Sequence, residues 1–321
     1  MRAAVRHEYG GPIQVVDVDA PVPGRGEVLI RVAAAGIDAG ADHLMRGEPS
    51  VVRLGLGIGR PRDPRFGTEV AGTVEALGKG VTDLAVGDDV YGVTNGSFAE
   101  FVVAKAGKVA RAPQGLDPAA SAAAAVSGIT ALDAVRAAGL DSPGSGVGRR
   151  VLVTGAGGGV GIFAVQFAVA AGAQVTGVCS TAKVDLVRSL GAEDVVDYTA
   201  GEPSGTFDVV IDCGGRRDLR VLRDLLVPGG VAVLVGGEGG GGPLGGFERQ
   251  LLAPLRMLGS ARRFVPLTSS TDPAKLAALA GHLEAGHIRA VIDRRYPLTD
   301  TAIAMDHFAA GTVAGKLVLI P

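Results

Sequence analysis

Residues 151–171 constrain this chain more than any other stretch. Val151-Leu152-Val153-Thr154 is a short apolar and β-branched run, Gly155-Ala156-Gly157-Gly158-Gly159-Val160-Gly161 follows at once, and Ile162–Ala171 is apolar apart from Gln166. A strand with no polar alternation is covered on both faces, and a helix with no polar stripe has to be buried as well. Both needs are met where helices pack on a parallel sheet. The alternation continues, with strands expected at Gln174–Cys179, Asp194–Asp197, Phe207–Asp212 and Val231–Val235 and helices at Lys183–Leu190 and Arg216–Leu226. The fold expected here is α/β, a doubly wound parallel sheet of Rossmann type.

The glycine spacing carries chemistry. Ala156, Gly158 and Gly161 fit A-x-G-x-x-G between a strand and a helix, the context that a dinucleotide fingerprint requires. Gly158 lacks a Cβ, so a pyrophosphate can reach the backbone, and Gly159, Val160 and Gly161 lead into a helix N-terminus whose free N–H groups and positive dipole end suit phosphate. The next strand ends at Cys179-Ser180-Thr181-Ala182-Lys183. An NAD site there uses an acid for the ribose 2′-hydroxyl. Ser180, Thr181 and Lys183 instead suit a 2′-phosphate, so NADPH is expected over NADH. The bland alternative makes Ser180 a helix cap and Lys183 a solvated first-turn residue.

The first third reads differently. Val28–Val32, Val70–Val74, Val90–Val93 and Phe98–Val103 are short β-like runs separated by turns such as Pro23-Gly24-Arg25-Gly26, which predicts an antiparallel region forming a partly open barrel. Pro118 and the alanines after it open one helical stretch to about Ala138, before a Gly/Ser/Pro loop at Asp141–Gly148. Beyond Val235 the reading is a glycine-rich loop at Gly236–Gly246, a helix at Phe247–Leu258, a strand at Arg262–Leu267 and a helix at Pro273–Ala285. A strand at Val291–Tyr296, a helix at Asp300–Ala310 and a strand at Lys316–Ile320 end the chain. The expected domains are 1–123, completed by 288–321, and 124–287.

Charge and cysteine content exclude other classes. Lys and Arg number 31 against 33 Asp and Glu, so no basic field favours nucleic acid. Two cysteines, Cys179 and Cys213, rule out a disulfide framework or a four-cysteine zinc site and suit a reducing, cytoplasmic compartment. No apolar run reaches the length of a membrane span, and Met1–Gly11 has no apolar segment of the signal-peptide kind.

In four stretches the sequence resembles the zinc-free quinone oxidoreductase branch of the medium-chain dehydrogenase/reductase superfamily. They are Phe66–Val74 with Val86–Gly92, Val126–Ala131, the glycine loop through Lys183 to Tyr198, and Gly315–Leu319. The resemblance implies a groES-like β-barrel catalytic domain beside the Rossmann domain, with a cleft between them. It implies that Thr130, Gly158 to Gly161, Ser180, Lys183 and Tyr198 touch NADPH, and that Cys213, Gly214, Gly236 and Gly237 border the ribose and nicotinamide. It also implies a homodimer formed through a sheet edge, for which Arg262–Leu267 is the candidate. A half-buried strand-end role for Tyr198 and a back-bonded helix hydroxyl for Thr130 stay open.

Zinc members of the superfamily hold metal where this chain has Asp38 and Thr68, and one carboxylate at Glu69 does not replace three N/S ligands, so no metal is expected. Without a Lewis acid, hydride passes most easily to an acceptor that is already electrophilic, a quinone or the β-carbon of an enone. Asp38 and His43 are the catalytic candidates, with turn capping the alternative for Asp38 and packing the alternative for His43. Asp38 stands where these quinone reductases carry Asn. The segment Arg53–Arg62, with Arg53, Arg60 and Arg62, is a departure that could shape the acceptor pocket. The expectation is an NADPH-dependent quinone or enone reductase. A weakly active NADPH-binding sensor and a zinc alcohol dehydrogenase are the alternatives.

Overall fold

The computed structural model describes residues 1–236, 253 and 260–321. It divides into two compact units, residues 1–129 with 271–321, and residues 130–270.

The contiguous unit is built on a parallel sheet. Its strands are β8 (Arg150–Thr154), β9 (Gln174–Cys179), β10 (Asp194–Asp197), β11 (Phe207–Asp212), β12 (Leu226–Leu234) and β13 (Arg263–Pro266). They lie in the order β10-β9-β8-β11-β12-β13 and every neighbouring pair is parallel. The order reverses between β8 and β11, which is where a doubly wound sheet opens its ligand crevice. Helix α5 (Gly161–Ala170) follows β8, and all of its residues from Gly161 to Ala168 are buried, as its lack of a polar stripe requires. Helices α6 (Val184–Ser189) and α7 (Leu219–Asp224) are shorter than the sequence suggests. Asp218 caps the start of α7 by accepting from Arg220 N at 2.7 Å, so Arg216 and Arg217 stay outside it. The expected helix at Phe247–Leu258 and most of the expected loop at 236–246 lie outside the described residues.

The discontinuous unit holds a seven-stranded sheet. Strands β3 (Glu27–Ile37), β4 (Glu69–Leu77), β5 (Asp89–Val93), β6 (Phe101–Lys105), β7 (Val109–Arg111), β14 (Ile292–Pro297) and β15 (Lys316–Ile320) run in the order β14-β15-β3-β4-β5-β7, with β6 on β3. Strands β1 (Arg2–Val5) and β2 (Gln14–Asp17), which the sequence reading passed over, form a separate antiparallel hairpin. All pairs are antiparallel except β14 with β15, so the sheet is less uniform than a purely antiparallel region. The strand expected from Phe98 starts only at Phe101; Phe98 is instead a core residue whose ring meets Phe66 edge-on at 5.2 Å. Helices α1 (Ala39–Arg46), α2 (Arg53–Leu56), α3 (Pro118–Ala124), α8 (Pro273–Glu284) and α9 (Thr301–Ala309) belong to this unit.

Two boundaries differ from the sequence reading. The stretch after Pro118 is two helices, α3 and α4 (Ser127–Ala137), bent by 44°. The break falls where Val126 N and Ser127 N donate to Glu69 Oε1 at 2.9 and 3.3 Å, so a carboxylate from another strand satisfies the new helix start. Helix α8 also leaves the nucleotide-type unit. The Tyr91 hydroxyl donates to the Leu276 carbonyl at 2.5 Å, Lys108 Nζ to Thr271 O at 2.7 Å, and Gln114 N to Glu284 Oε1 at 2.7 Å. These bonds tie residues 271–284 to β5, β7 and the chain after β7, which moves the division from 287 to 270.

Candidate active site

Around the glycine loop, each glycine is explained by what surrounds it. A Cβ on Gly161 would stand 2.1 Å from Gly155 O, and Gly155 itself has φ +65° with its own Cβ position 3.0 Å from Gly214 N. Neither position tolerates a side chain, so strand, turn and helix pack closely. Gly158 differs: a Cβ there would meet only Gly155 O at 3.3 Å, so open space lies over it. Gly158, Gly159 and Val160 are half-buried. Val160 precedes α5 without any side-chain cap, so no side chain competes for the helix amides. That is the cradle a pyrophosphate needs.

The fourth wall comes from β9. A Cβ on Gly157 would lie 2.8 Å from both Cβ and Cδ of Lys183, so the lysine stem runs across the loop. The reading from sequence had not used Gly157, whose role is visible only from this distance. Ser180 stands at the N-cap position of the turn Thr181–Lys183 but makes no capping bond from its side chain. Thr181 is committed elsewhere: its hydroxyl lies 3.0 Å from that of Thr199, which donates to Asp197 Oδ1 at 2.7 Å. Hydrogen bonds from Thr181 and Thr199 hold the Asp197 carboxyl below its ordinary range. Asp197, at the end of β10, is an acid near this corner that the motif search along β9 could not see. Tyr198 is 53% exposed and donates its amide to Cys179 O at 3.0 Å, so its ring is available at the same corner.

Across the switch point, Thr154 at the end of β8 donates to Asp212 Oδ1 at 2.5 Å, and Gly214 N donates to Thr154 Oγ1 at 3.3 Å. A Cβ on Gly236 would approach Cys213 O at 2.7 Å, so Cys213, Gly214 and Gly236 form one closely packed rim beside Gly155. Burial and the neighbouring Asp212 push the Cys213 thiol up, leaving it a neutral lining group. Thr130 lies half-buried on α4. Gly237 lies outside the described residues.

In the discontinuous unit, the two positions at which zinc members hold metal are bonded to each other. The Thr68 hydroxyl donates to Asp38 Oδ2 at 2.7 Å, while Asp38 Oδ1 accepts from Ala41 N at 2.6 Å as the N-cap of α1. Asp38 is thus a capping residue with both oxygens engaged, the reading the sequence had left open beside catalysis. Among the described residues no group of three or more His, Cys, Asp or Glu side chains is placed to hold a metal. A hydroxyl and a shared carboxylate do not fit a zinc site. Helix α1 carries His43, whose Nδ1 is covered and has no hydrogen-bond partner among the described residues.

Behind Asp38 lies a buried ion pair absent from the sequence reading. Lys316 Nζ donates to Glu69 Oε2 at 2.6 Å and to Ser127 Oγ at 3.0 Å, and both charged side chains are at most 1% exposed. Burial pushes Glu69 up to about 7, against the pull of Lys316 and with a push from Asp38. A Cβ on Gly36 would fall 2.1 Å from Glu69 Oε2, so glycine is required there.

Comparison with known proteins agrees with this architecture. Residues 24–114 match the alcohol dehydrogenase GroES-like domain and residues 190–319 match a zinc-binding dehydrogenase domain. The chain is 31% identical to the chloroplast envelope quinone oxidoreductase homolog of Arabidopsis thaliana, over all of this chain and 98% of that protein. It belongs to the medium-chain dehydrogenase/reductase superfamily, in the quinone oxidoreductase-like branch. A quinone oxidoreductase of Pseudomonas aeruginosa is also 31% identical, over 98% of this chain and 97% of that one. The structure of Escherichia coli quinone oxidoreductase complexed with NADPH shares the fold, with a TM-score of 0.79, 24% identity and full coverage of both chains. The chain is therefore an oxidoreductase of this superfamily. No single helix among the described residues is long and apolar enough to cross a membrane.

Proposed function

We propose that the chain is an NADPH-dependent, zinc-independent reductase of quinones or α,β-unsaturated carbonyls. The observation that carries the cofactor choice is the Lys183 stem lying across Gly157, which sets an ammonium and the Ser180 hydroxyl at the corner where a 2′-phosphate would stand. The bound NADPH complex of the E. coli relative supports the same choice. Gly159, Val160 and Gly161 would hold the pyrophosphate with backbone amides over the open face of Gly158, whose own amide donates to Gly155 O at 3.0 Å. Tyr198 and Thr130 would flank the cofactor, and Cys213, Gly214 and Gly236 would border its ribose and nicotinamide. The cofactor supplies a hydride when bound.

The protein's own part is orientation, exclusion of water and management of the proton. An acceptor that gains hydride develops negative charge on its oxygen, which is then protonated. His43 is the group we assign to that proton: its ring is half-buried on α1, and its covered Nδ1, without a hydrogen-bond partner among the described residues, leaves the rest of the imidazole to meet the acceptor. Asp38 acts one step back, by capping the helix that carries His43 and by fixing Thr68. A homodimer through β13, the last strand in its sheet, is part of the same reading, and a monomer by light scattering would refute it.

The test is to mix protein with NADPH and a panel of quinones and enones and follow the nicotinamide absorbance. Oxidation of NADPH by at least one class is expected; none across the panel overturns the proposal. Tight NADPH binding without turnover would favour a sensor instead. In a companion measurement Lys183→Glu should weaken NADPH far more than NADH, since one charge-assisted contact is worth about 1.5–3 kcal/mol and repulsion adds to its loss. Equal losses would refute the 2′-phosphate assignment.

A further inference from the structure

The segment after α2, expected from the sequence to shape the acceptor pocket, forms a cavity. It measures about 540 Å³ and is walled by His7, Ile58, Arg60, Pro61, Arg62 and Pro64. Two guanidinium groups and an imidazole line it, and no carboxylate does. Among the described residues Arg60 makes no ion pair or hydrogen bond, and Arg62 uses its guanidinium only on Gly55 O at 3.3 Å. The acid next in sequence, Asp63, is already held by Arg65 at 2.7 Å. Both arginines are exposed, and two guanidinium-bearing residues at one concave wall without a carboxylate suit an anion.

The walls are fixed in place. The Tyr9 hydroxyl donates to Gly57 O at 2.8 Å, Arg62 N donates to Leu56 O at 2.8 Å, and the Arg53 guanidinium stacks over the Tyr9 ring at 4.7 Å while its Nε donates to Gly47 O at 2.9 Å. Gly57 has φ +124° and no room for a Cβ, which would lie 2.2 Å from Arg60 O. Of the three arginines in this segment, Arg53 is thus structural, while Arg60 and Arg62 are turned to the cavity. Ile58, 76% exposed, adds an apolar wall. Pro64 stands four residues before Thr68, so the two are at most about 14 Å apart along the chain.

We propose that this cavity anchors an oxyanion, a carboxylate or phosphate, carried on the body of the electron acceptor itself, which makes the enzyme selective for acidic quinones or enones. The inference rests on the reductase reading above. Arg60 and Arg62 supply the charge-assisted bonds, and Ile58 and the prolines meet the apolar part of the arm. The reach from Pro64 to Thr68 matches a substrate whose reacting ring lies near Asp38 and Thr68 and whose acid lies an arm's length away.

Calorimetry with three probes tests it: a naphthoquinone bearing a carboxylate on a short arm, its methyl ester, and inorganic phosphate. The carboxylate should bind about tenfold or more tighter than the ester, as expected for charge-assisted contacts. Arg60→Ala with Arg62→Ala should remove that preference and leave ester affinity unchanged. Equal binding of acid and ester by the unaltered protein, or a preference that survives in the double variant, overturns the proposal. So does a site that takes inorganic phosphate but shows no preference for the acid, since that would be a free-anion site. Turnover is read separately: absence of NADPH oxidation with the acid, the ester and the rest of the quinone and enone panel refutes the reductase reading, while the binding preference alone decides the cavity.

Discussion

Replacing Lys316 with Met would leave Glu69 buried without its cation. The methionine fills similar volume, so packing is largely kept and the electrostatic loss is isolated. Both side chains are at most 1% exposed, and removing one partner of such a pair costs about 3–5 kcal/mol. For a unit of this size, at about 2–4 °C per kcal/mol, the melting temperature should fall by about 6–20 °C. Scanning calorimetry suits the measurement, because the chain has no tryptophan to report on unfolding. The loss should depend on pH. Glu69 is already pushed up to about 7, and without Lys316 it rises further, so below pH 6 the lone carboxyl takes a proton and the penalty shrinks. At pH 8 the penalty is larger. Adding Glu69→Gln to Lys316→Met should recover most of the loss, because the buried charge is then gone. A single-variant loss below about 1 kcal/mol at pH 8, or a loss equal at pH 5.5 and pH 8, would refute this account of the pair.

The unaltered protein carries a related signature: Glu69 binds its proton more tightly folded than unfolded, so stability should decline as pH rises from about 4.5 through 7, and Glu69→Gln should flatten that slope in a series of calorimetric scans. Gly161→Ala forces a Cβ to within 2.1 Å of Gly155 O, so it should abolish NADPH binding in a titration and lower the melting temperature. Asp38→Ala removes the α1 cap and should cost about 0.5–2 kcal/mol in denaturant unfolding, with Asp38→Asn close to neutral because the amide oxygen still accepts. Tyr91→Phe removes the hydroxyl's bond to the Leu276 carbonyl, which keeps its intrahelical partner in α8, and should cost about 0.5–1.5 kcal/mol in the same assay.

The parallel sheet was legible because its signals are local. Val151–Thr154, the glycines and the apolar helix lie within 21 consecutive residues, and periodicity and turn chemistry settle each one. The glycine loop could be named for the same reason. Legibility failed where the cause lies far along the chain. Nothing near Val126 says that a helix breaks there, because the carboxylate that satisfies its amides belongs to Glu69. Residues 271–284 read as another α/β helix until the Tyr91 hydroxyl is seen on Leu276. Asp197 was hidden by a different geometry: it ends the neighbouring strand, so a search for an acid along β9 passes it by. Strands β1 and β2 lie next to the charged and glycine-bearing run Arg6–Gly11, with no apolar run longer than Ala3–Val5 to mark them.

The buried pair also sets an order of events during synthesis. Glu69 and Lys316 are separated by 247 residues, which a ribosome adding about 5–20 residues per second needs roughly 12–50 s to make. Throughout that interval β3 lacks β15, and the carboxylate has no ammonium to meet. Residues 130–270 are complete before the last strand is made, so for the final stretch of synthesis the nascent chain carries a translated dinucleotide-type half and an open amino-terminal half whose exposed strand edge awaits its last five-residue strand. Truncation by even a few residues at the carboxyl end would therefore strike the half of the molecule that was translated first.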